Sequence, residues 1–229
     1  MCGRFSMAIE AEKLKSALAL GQLPLEWPTS YNFAPSQLIP TVPDPETRDV
    51  VLMRWGLVPF WAKDPSIGAR MINARAESVE EKPSFRNSFK HKRCLVLADG
   101  FYEWKKAGAG GKVSIPYYFS LKSGEPFAFA GLWDDWEPKG LSQIPGLTTC
   151  TIITTEANDV VAEVHPRMPV ILEKEASFRW LESGDPAELK SLLRPLDPEK
   201  LQAWEVGRAV NSPANDGPGL IDPVKGLFG

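Results

Sequence analysis

Five short runs rich in β-branched and aromatic residues, each closed off by Gly, Pro or Asp, restrict this chain to a fold built on a sheet. They are VVLMRWGLV (50–58), RCLVLADGFYEW (93–104), PYYFSL (116–121), PFAFAGLW (126–133) and TTCTIITT (148–155). Runs of this length with breakers between them predict short strands in a mostly antiparallel sheet. Apolar residues at helical spacing, with no Gly or Pro, predict an amphipathic helix over residues 8–20, and further helices are expected over 83–92 and 173–182. Between residues 21 and 45, Pro24, Pro28, Pro35, Pro40, Pro43 and Pro45 predict an ordered extended loop around a YNFAP core. No repeat or low-complexity linker divides the chain. Its 229 residues, 43% hydrophobic, therefore read as one α+β domain over 1–229, irregular after Asn211.

Several classes of function are set aside by what the chain lacks. No window reaches eighteen apolar residues and no charged-then-apolar leader opens the chain, so neither a membrane span nor a secretory signal is expected. Cys2, Cys94 and Cys150 are too scattered for a disulfide framework, and no Cys/His pair has zinc-ligand spacing. A reducing compartment, no metal and no cofactor are the expectation. Cys94 and Cys150 lie inside apolar strand runs, where a thiol behaves as a small hydrophobe, and both are expected to be inert.

Cys2 differs by position. It follows the initiator Met, and small residues at position 2 are those from which methionine is trimmed, so a free cysteine amine and thiol are expected. An α-amine titrates at about 7.7 to 8.0 against about 10.4 for lysine, which leaves a useful neutral, nucleophilic fraction at physiological pH. Such a 1,2-aminothiol can condense with an aldehyde to a Schiff base and then close a five-membered thiazolidine. Gly3 and Arg4 follow it, a flexible residue and then a cation suited to phosphate.

Six motifs, MCGRF (1–5), YNFAP (31–35), WGLVPFWA (55–62), INARAE (72–77), ADGFYEW (98–104) and HPRMPV (165–170), occur in an order and spacing that closely resemble the SOS-response-associated peptidase (SRAP) family of abasic-site processing proteins, over roughly residues 1–210. The resemblance implies a curved, open barrel-like, mostly antiparallel sheet with flanking helices. It also implies an N-terminal cysteine that crosslinks to the aldehyde of an abasic site. Glu103 then matches the family glutamate that assists adduct formation and reversal, and His165 the family histidine. Trp61 resembles the family wedge beside the lesion, with Ala62 where some members carry a second bulky aromatic.

The residues themselves are compatible with these roles. Asn73 has a donor and an acceptor with which to orient the Cys2 amine or the opened sugar, or alternatively to cap a turn. Glu103 lies between Tyr102 and Trp104, where burial raises a carboxyl pKa and suits it to proton transfer; a solvent-facing strand-end carboxylate is the plainer reading. His165, beside a proline turn, gives and takes protons near neutrality. Arg75 shares a face with Asn73 if the segment is extended, and is suited either to a phosphate or to an ion pair with Glu77 or Glu80.

Net charge is −3, which does not by itself announce a nucleic-acid binder, but residues 82–93 hold Lys82, Arg86, Lys90, Lys92 and Arg93 with no acid. Candidate DNA contacts are Arg4, Arg75, Arg86, Arg167 and Arg208, with Lys90 and Arg93 as weaker members, His91 as a further donor, Asn32 in the site wall, and Trp61 stacking on a base. The expected partner is single-stranded DNA carrying an abasic site, bound by a monomer, in the cytoplasm or nucleoid of a bacterium or the nucleus of a eukaryote. An N-terminal-cysteine autoprocessing peptidase or amidohydrolase would use the same Cys2, Glu103 and His165. It would require an oxyanion hole and an acyl pocket where an abasic-site trap requires a phosphate-lined groove.

Overall fold

The computed structural model describes residues 2–108, 110, 113–138, 146–182 and 184–224. In chain order its elements are β1 (Phe5–Met7), α1 (Ala11–Leu18), β2 (Ser30–Phe33), β3 (Leu38–Val42), β4 (Val51–Trp55), β5 (Asn73–Arg75), α2 (Arg86–His91), β6 (Arg93–Ala98), β7 (Gly100–Ala107), β8 (Val113–Leu121), β9 (Phe127–Trp136), β10 (Leu147–Glu156), α3 (Asp159–Ala162), β11 (Arg167–Pro169), β12 (Ile171–Leu172), α4 (Lys174–Glu182), α5 (Pro186–Leu192) and β13 (Leu201–Glu205). One sheet runs β13-β8-β7-β1-β2; the other runs β11-β10-β4-β3-β6-β9-β12, with β5 on β10.

The second sheet closes on itself. β10 pairs with β4 at one side and with β9 at the other, so β10, β4, β3, β6 and β9 form a continuous ring. Five strands cannot alternate direction all the way round a ring, so at least one neighbouring pair must be parallel. β4 and β10 are that pair, with Thr149 opposite Arg54 and Cys150 opposite Trp55. Closure removes the exposed edges that an open sheet of this length would present.

The run 93–104 supplies two strands because it changes sheet at Asp99. β6 lies in the ring, while β7 pairs with β1 and β8. The Asp99 carboxylate accepts from Ser6 Oγ at 2.5 Å, Ala8 N at 2.6 Å and Ile9 N at 3.0 Å, which fixes the corner and turns the chain out of β1. That takes Ala8 and Ile9 out of the helix expected from residue 8, so α1 starts at Ala11. Gly100 is required here: a Cβ would lie 2.1 Å from the Tyr118 hydroxyl, which itself contacts Ser6 Oγ at 2.9 Å.

The extended loop expected over 21–45 contains two strands, β2 and β3. Pro40 has no N–H to give a ladder, yet β6 joins β3 only from Thr41 onward, so that ladder is not interrupted. The helices expected over 83–92 and 173–182 are present as α2 and α4. After Asn211 the chain makes bends, a 3-10 turn at Pro218–Leu220 and a β-bridge between Val206 and Pro223.

Aromatic side chains join the two sheets. Phe5 of β1 stacks on Phe33 at 5.1 Å and meets Trp55 and Phe129 of the ring edge-on at 5.3 and 5.8 Å. The N-terminal strand is thereby fixed to the core, which is how a residue next to the chain terminus acquires a defined position.

Candidate active site

Residues distant in sequence meet at the N-terminal end of β1. Phe5 opposes Phe101, and the Tyr102 amide donates to the Arg4 carbonyl at 3.0 Å, so the strand direction carries Cys2 alongside the Glu103–Trp104 part of β7. Asn73 arrives from β5, held in parallel register with Ile152 of β10, and its Nδ2 donates to the Cys2 carbonyl at 2.8 Å. Its Oδ1 is buried with no hydrogen-bond partner among the described residues. A polar atom left in this way is costly unless something completes it, which makes it an acceptor available to a bound group.

Cys2 is fully buried, and its Sγ lies 3.8 Å from the Arg4 carbonyl. Burial drives the thiol pKa far above its usual range, and the nearby charge of Glu103 adds to the effect. Glu103 is itself only 3% exposed, and burial raises its carboxyl pKa too, although His165 pulls in the opposite direction. His165 Nδ1 stands 4.0 Å from Glu103 Oε1. The same nitrogen lies 3.1 Å from both the amide and the carbonyl of Arg167, so the turn into β11 orients the ring. A buried carboxyl held toward its neutral form, a half-buried imidazole beside it and an amide oxygen awaiting a donor make a constellation suited to moving protons around the Cys2 terminus.

The candidate cations fall into two groups. Arg75, Arg86, Lys90 and Arg208 are exposed. Arg167, Arg4 and Arg93 are bonded within the chain. Arg167 forms a bidentate pair with Glu77, one contact being 3.0 Å, and donates to the Thr154 carbonyl at 2.7 Å. The ion pair considered for Arg75 thus belongs to Arg167. Arg93 donates to the carbonyls of Trp180, Phe89, Lys90 and Leu181 and so ties α2 to α4. Lys92 bonds to Asp134 at 2.9 Å and Asp135 at 3.2 Å, which leaves Lys82, Arg86 and Lys90 as the exposed cations of the basic segment.

Asn32 stands elsewhere than its reading as a DNA contact in the site wall. It is 1% exposed, accepts from Arg4, and donates to the carbonyls of Val210, Ser212 and Asn215. No polar atom of it remains for a DNA strand. Trp61 is 42% exposed at a turn, and Phe60 beside it is 53% exposed, its amide fixed by Asp134 Oδ2 at 2.9 Å.

A sequence profile of the SOS response associated peptidase (SRAP) family matches residues 1–213. This chain belongs to the SRAP family. The abasic site processing protein YoqW of Bacillus subtilis (strain 168) is 46% identical to it, over 97% of this chain and 99% of that protein. The abasic site processing protein HMCES of Gallus gallus is 35% identical, over 98% of this chain and 78% of that protein. In three dimensions, a crystal structure of a Bacteroides thetaiotaomicron protein superposes with a TM-score of 0.84 at 30% identity, covering 98% of this chain and all of the other.

In this SRAP chain, three features of the site had no clear signal in sequence. Phe60 reads as one more apolar residue until its exposure is seen. Glu77 and Thr154, which hold Arg167, are separated from it in sequence by 90 and 13 residues. Arg4 donates to Asn32 Oδ1 and to the carbonyls of Val210 and Asn211, and backbone carbonyls occur in any sequence. The one available pointer to Phe60 is its place between Pro59 and Trp61.

Proposed function

We propose that this SRAP chain processes abasic sites by covalent capture, with Cys2 as the new N-terminus after Met1 is removed. While Met1 is present the Cys2 nitrogen is an amide and cannot attack. Once freed, the amine adds to the C1′ aldehyde of the opened abasic sugar. Loss of water gives the C1′=N imine. The thiol then adds across that bond, forming S–C1′ while its proton passes to nitrogen, and a thiazolidine closes. Glu103, held toward its protonated form by burial, protonates the departing hydroxyl, which leaves as water, and is reprotonated by the iminium N–H as the imine forms. His165 Nδ1, 4.0 Å from Glu103 Oε1, relays protons to and from it through one water, and Asn73 orients the terminus through the Cys2 carbonyl.

The observation that carries this reading is the meeting of Cys2, Asn73, Glu103 and His165 from four separate segments around one chain end. The relatives' names, abasic site processing proteins, agree with it. Single-stranded DNA is the favoured partner. A short side chain at a chain end requires the sugar to come to it, and extruding a nucleotide from a duplex costs a few kcal/mol. Phe60 and Trp61 offer faces on which unpaired bases stack. Exposed Arg75, Arg86 and Arg208 supply phosphate contacts.

The test is incubation of purified protein, verified by mass to lack Met1, with an abasic oligonucleotide, followed by a denaturing gel. A heat-stable shifted band is expected, formed faster on the single strand than on the same strand annealed to a full complement. No band from Met1-free protein overturns the capture chemistry, and equal rates on the two substrates overturn the strand preference.

A further inference from the structure

We propose that Arg4 is a positioning residue whose socket is the C-terminal segment 210–216, so that the far end of the chain holds the nucleophilic terminus in register. This rests on the capture chemistry proposed above. A chain end three residues ahead of its first strand frays unless something ties it down. Here the tie is the Arg4 guanidinium. Nη1 donates to Asn32 Oδ1 at 2.9 Å and to the Val210 carbonyl at 2.7 Å, and Nη2 donates to the Asn211 carbonyl at 3.1 Å. Three of its five N–H donors are thereby taken by the protein.

The socket is itself built. Asn32 Nδ2 draws in the carbonyls of Ser212 at 3.0 Å and Asn215 at 2.9 Å, and the Tyr31 amide donates to Asp216 Oδ1 at 2.7 Å. Tyr102, which bonds the Arg4 carbonyl through its amide, also donates its hydroxyl to the Tyr31 carbonyl at 2.7 Å. Trp104 Nε1 donates to Asn211 Oδ1 at 2.7 Å. Glu103 therefore sits between two residues of β7 that both bond to the socket or its β2 support. The strap lies two residues from Cys2 and one from its proton donor, and adds to the bond that Asn73 makes to the Cys2 carbonyl.

A planar fork reaching three acceptors is not reproduced by an ammonium point charge, whereas a simple phosphate contact largely is. The experiment compares wild type with Arg4→Ala, Arg4→Lys, Asn32→Ala and Asp216→Ala. It measures the maximal adduct rate at saturating abasic single strand, and separately the affinity and salt dependence for an unreactive tetrahydrofuran-site strand. Asn32 is 1% exposed and its side chain is bonded within the socket, so its variant tests the socket rather than a surface contact.

The expected result is at least a ten-fold slower maximal rate for Arg4→Ala and Asn32→Ala, little recovery in Arg4→Lys, and unchanged affinity and salt slope throughout. Asp216→Ala, at an exposed position that does not threaten folding, should show the same effect more weakly. The account is overturned if Arg4→Ala flattens the salt slope by about one phosphate contact, Arg4→Lys restores it, and both socket variants react at the wild-type rate. Hydrogen exchange at the amides of Phe5 and Ser6 decides the matter independently. Faster exchange in the socket variants supports the strap and unchanged exchange refutes it, even if wild type forms no adduct and the capture reading fails instead.

Discussion

Cys2 and the pair Cys94 and Cys150 are equally buried, each with no exposed surface, and burial raises all three thiols well above their usual range. Their surroundings differ. Cys94 and Cys150 lie on β6 and β10, opposite Gly131 and Trp133 of β9, within the closed ring. Cys2 lies where the ring and the other sheet meet, with its carbonyl bonded to Asn73, the Glu103 charge near its thiol, and His165 beyond. Burial therefore does not separate Cys2, the proposed nucleophile, from the other two. Adjacent groups that can move a proton do, together with a position at a chain end where the backbone nitrogen can become an amine.

The strongest way to break the comparison is to exchange the cysteines' fates. Cys2→Ala should abolish the heat-stable adduct, because the alanine amine still forms an imine but nothing closes the ring. Cys94→Ala and Cys150→Ala should crosslink like wild type and show only a lower melting temperature. Equal adduct yields from Cys2→Ala and wild type would place the chemistry elsewhere.

Glu103→Gln sharpens the comparison at the proton donor. Its adduct rate should fall by about 10²- to 10⁴-fold, the usual contribution of a positioned acid or base, with little change in DNA affinity. The pH dependence has a definite sign. A carboxyl whose folded pKa is raised favours the protonated native state, so the stability it contributes is complete below the unfolded value and is lost as pH rises through the folded one. Glu103→Gln should therefore melt higher than wild type at pH 8, with the gain shrinking toward pH 4. A constant difference across that range would mean that Glu103 is ionised in the fold.

Smaller effects are expected at the surface proposed to face DNA. Trp61→Ala should weaken binding to a single strand by about 1 to 3 kcal/mol, roughly five- to 140-fold, and Phe60→Ala should act in the same direction. Arg75→Ala should reduce the salt slope on single strands by roughly 0.7, one phosphate's share, and leave the maximal adduct rate nearly intact. An unchanged slope would put Arg75 outside the groove.

The strands were legible because β-branched and aromatic runs announce themselves locally. Closure of the ring was not, since it depends on β4 and β10 finding one another in parallel across some ninety residues of chain. β2 and β3 were hidden by prolines that suit a loop equally well. At the site, Cys2, Asn73, Glu103 and His165 were all singled out from residue chemistry and motif order. Arg4 and Asn32 were read as DNA contacts because a guanidinium or an amide in a sequence carries no sign of its partner. The structure pairs them with each other and with backbone carbonyls 180 to 207 residues away.

The central claim is that one residue supplies both nucleophiles, and peptide mapping of the adduct by mass spectrometry tests it most directly. The account predicts a digest peptide that begins at Cys2, carries the sugar remnant with loss of one water, and resists thiol alkylation because sulfur and nitrogen are both bonded to C1′. A remnant attached to a lysine, or a Cys2 thiol that still alkylates in the purified adduct, would contradict it.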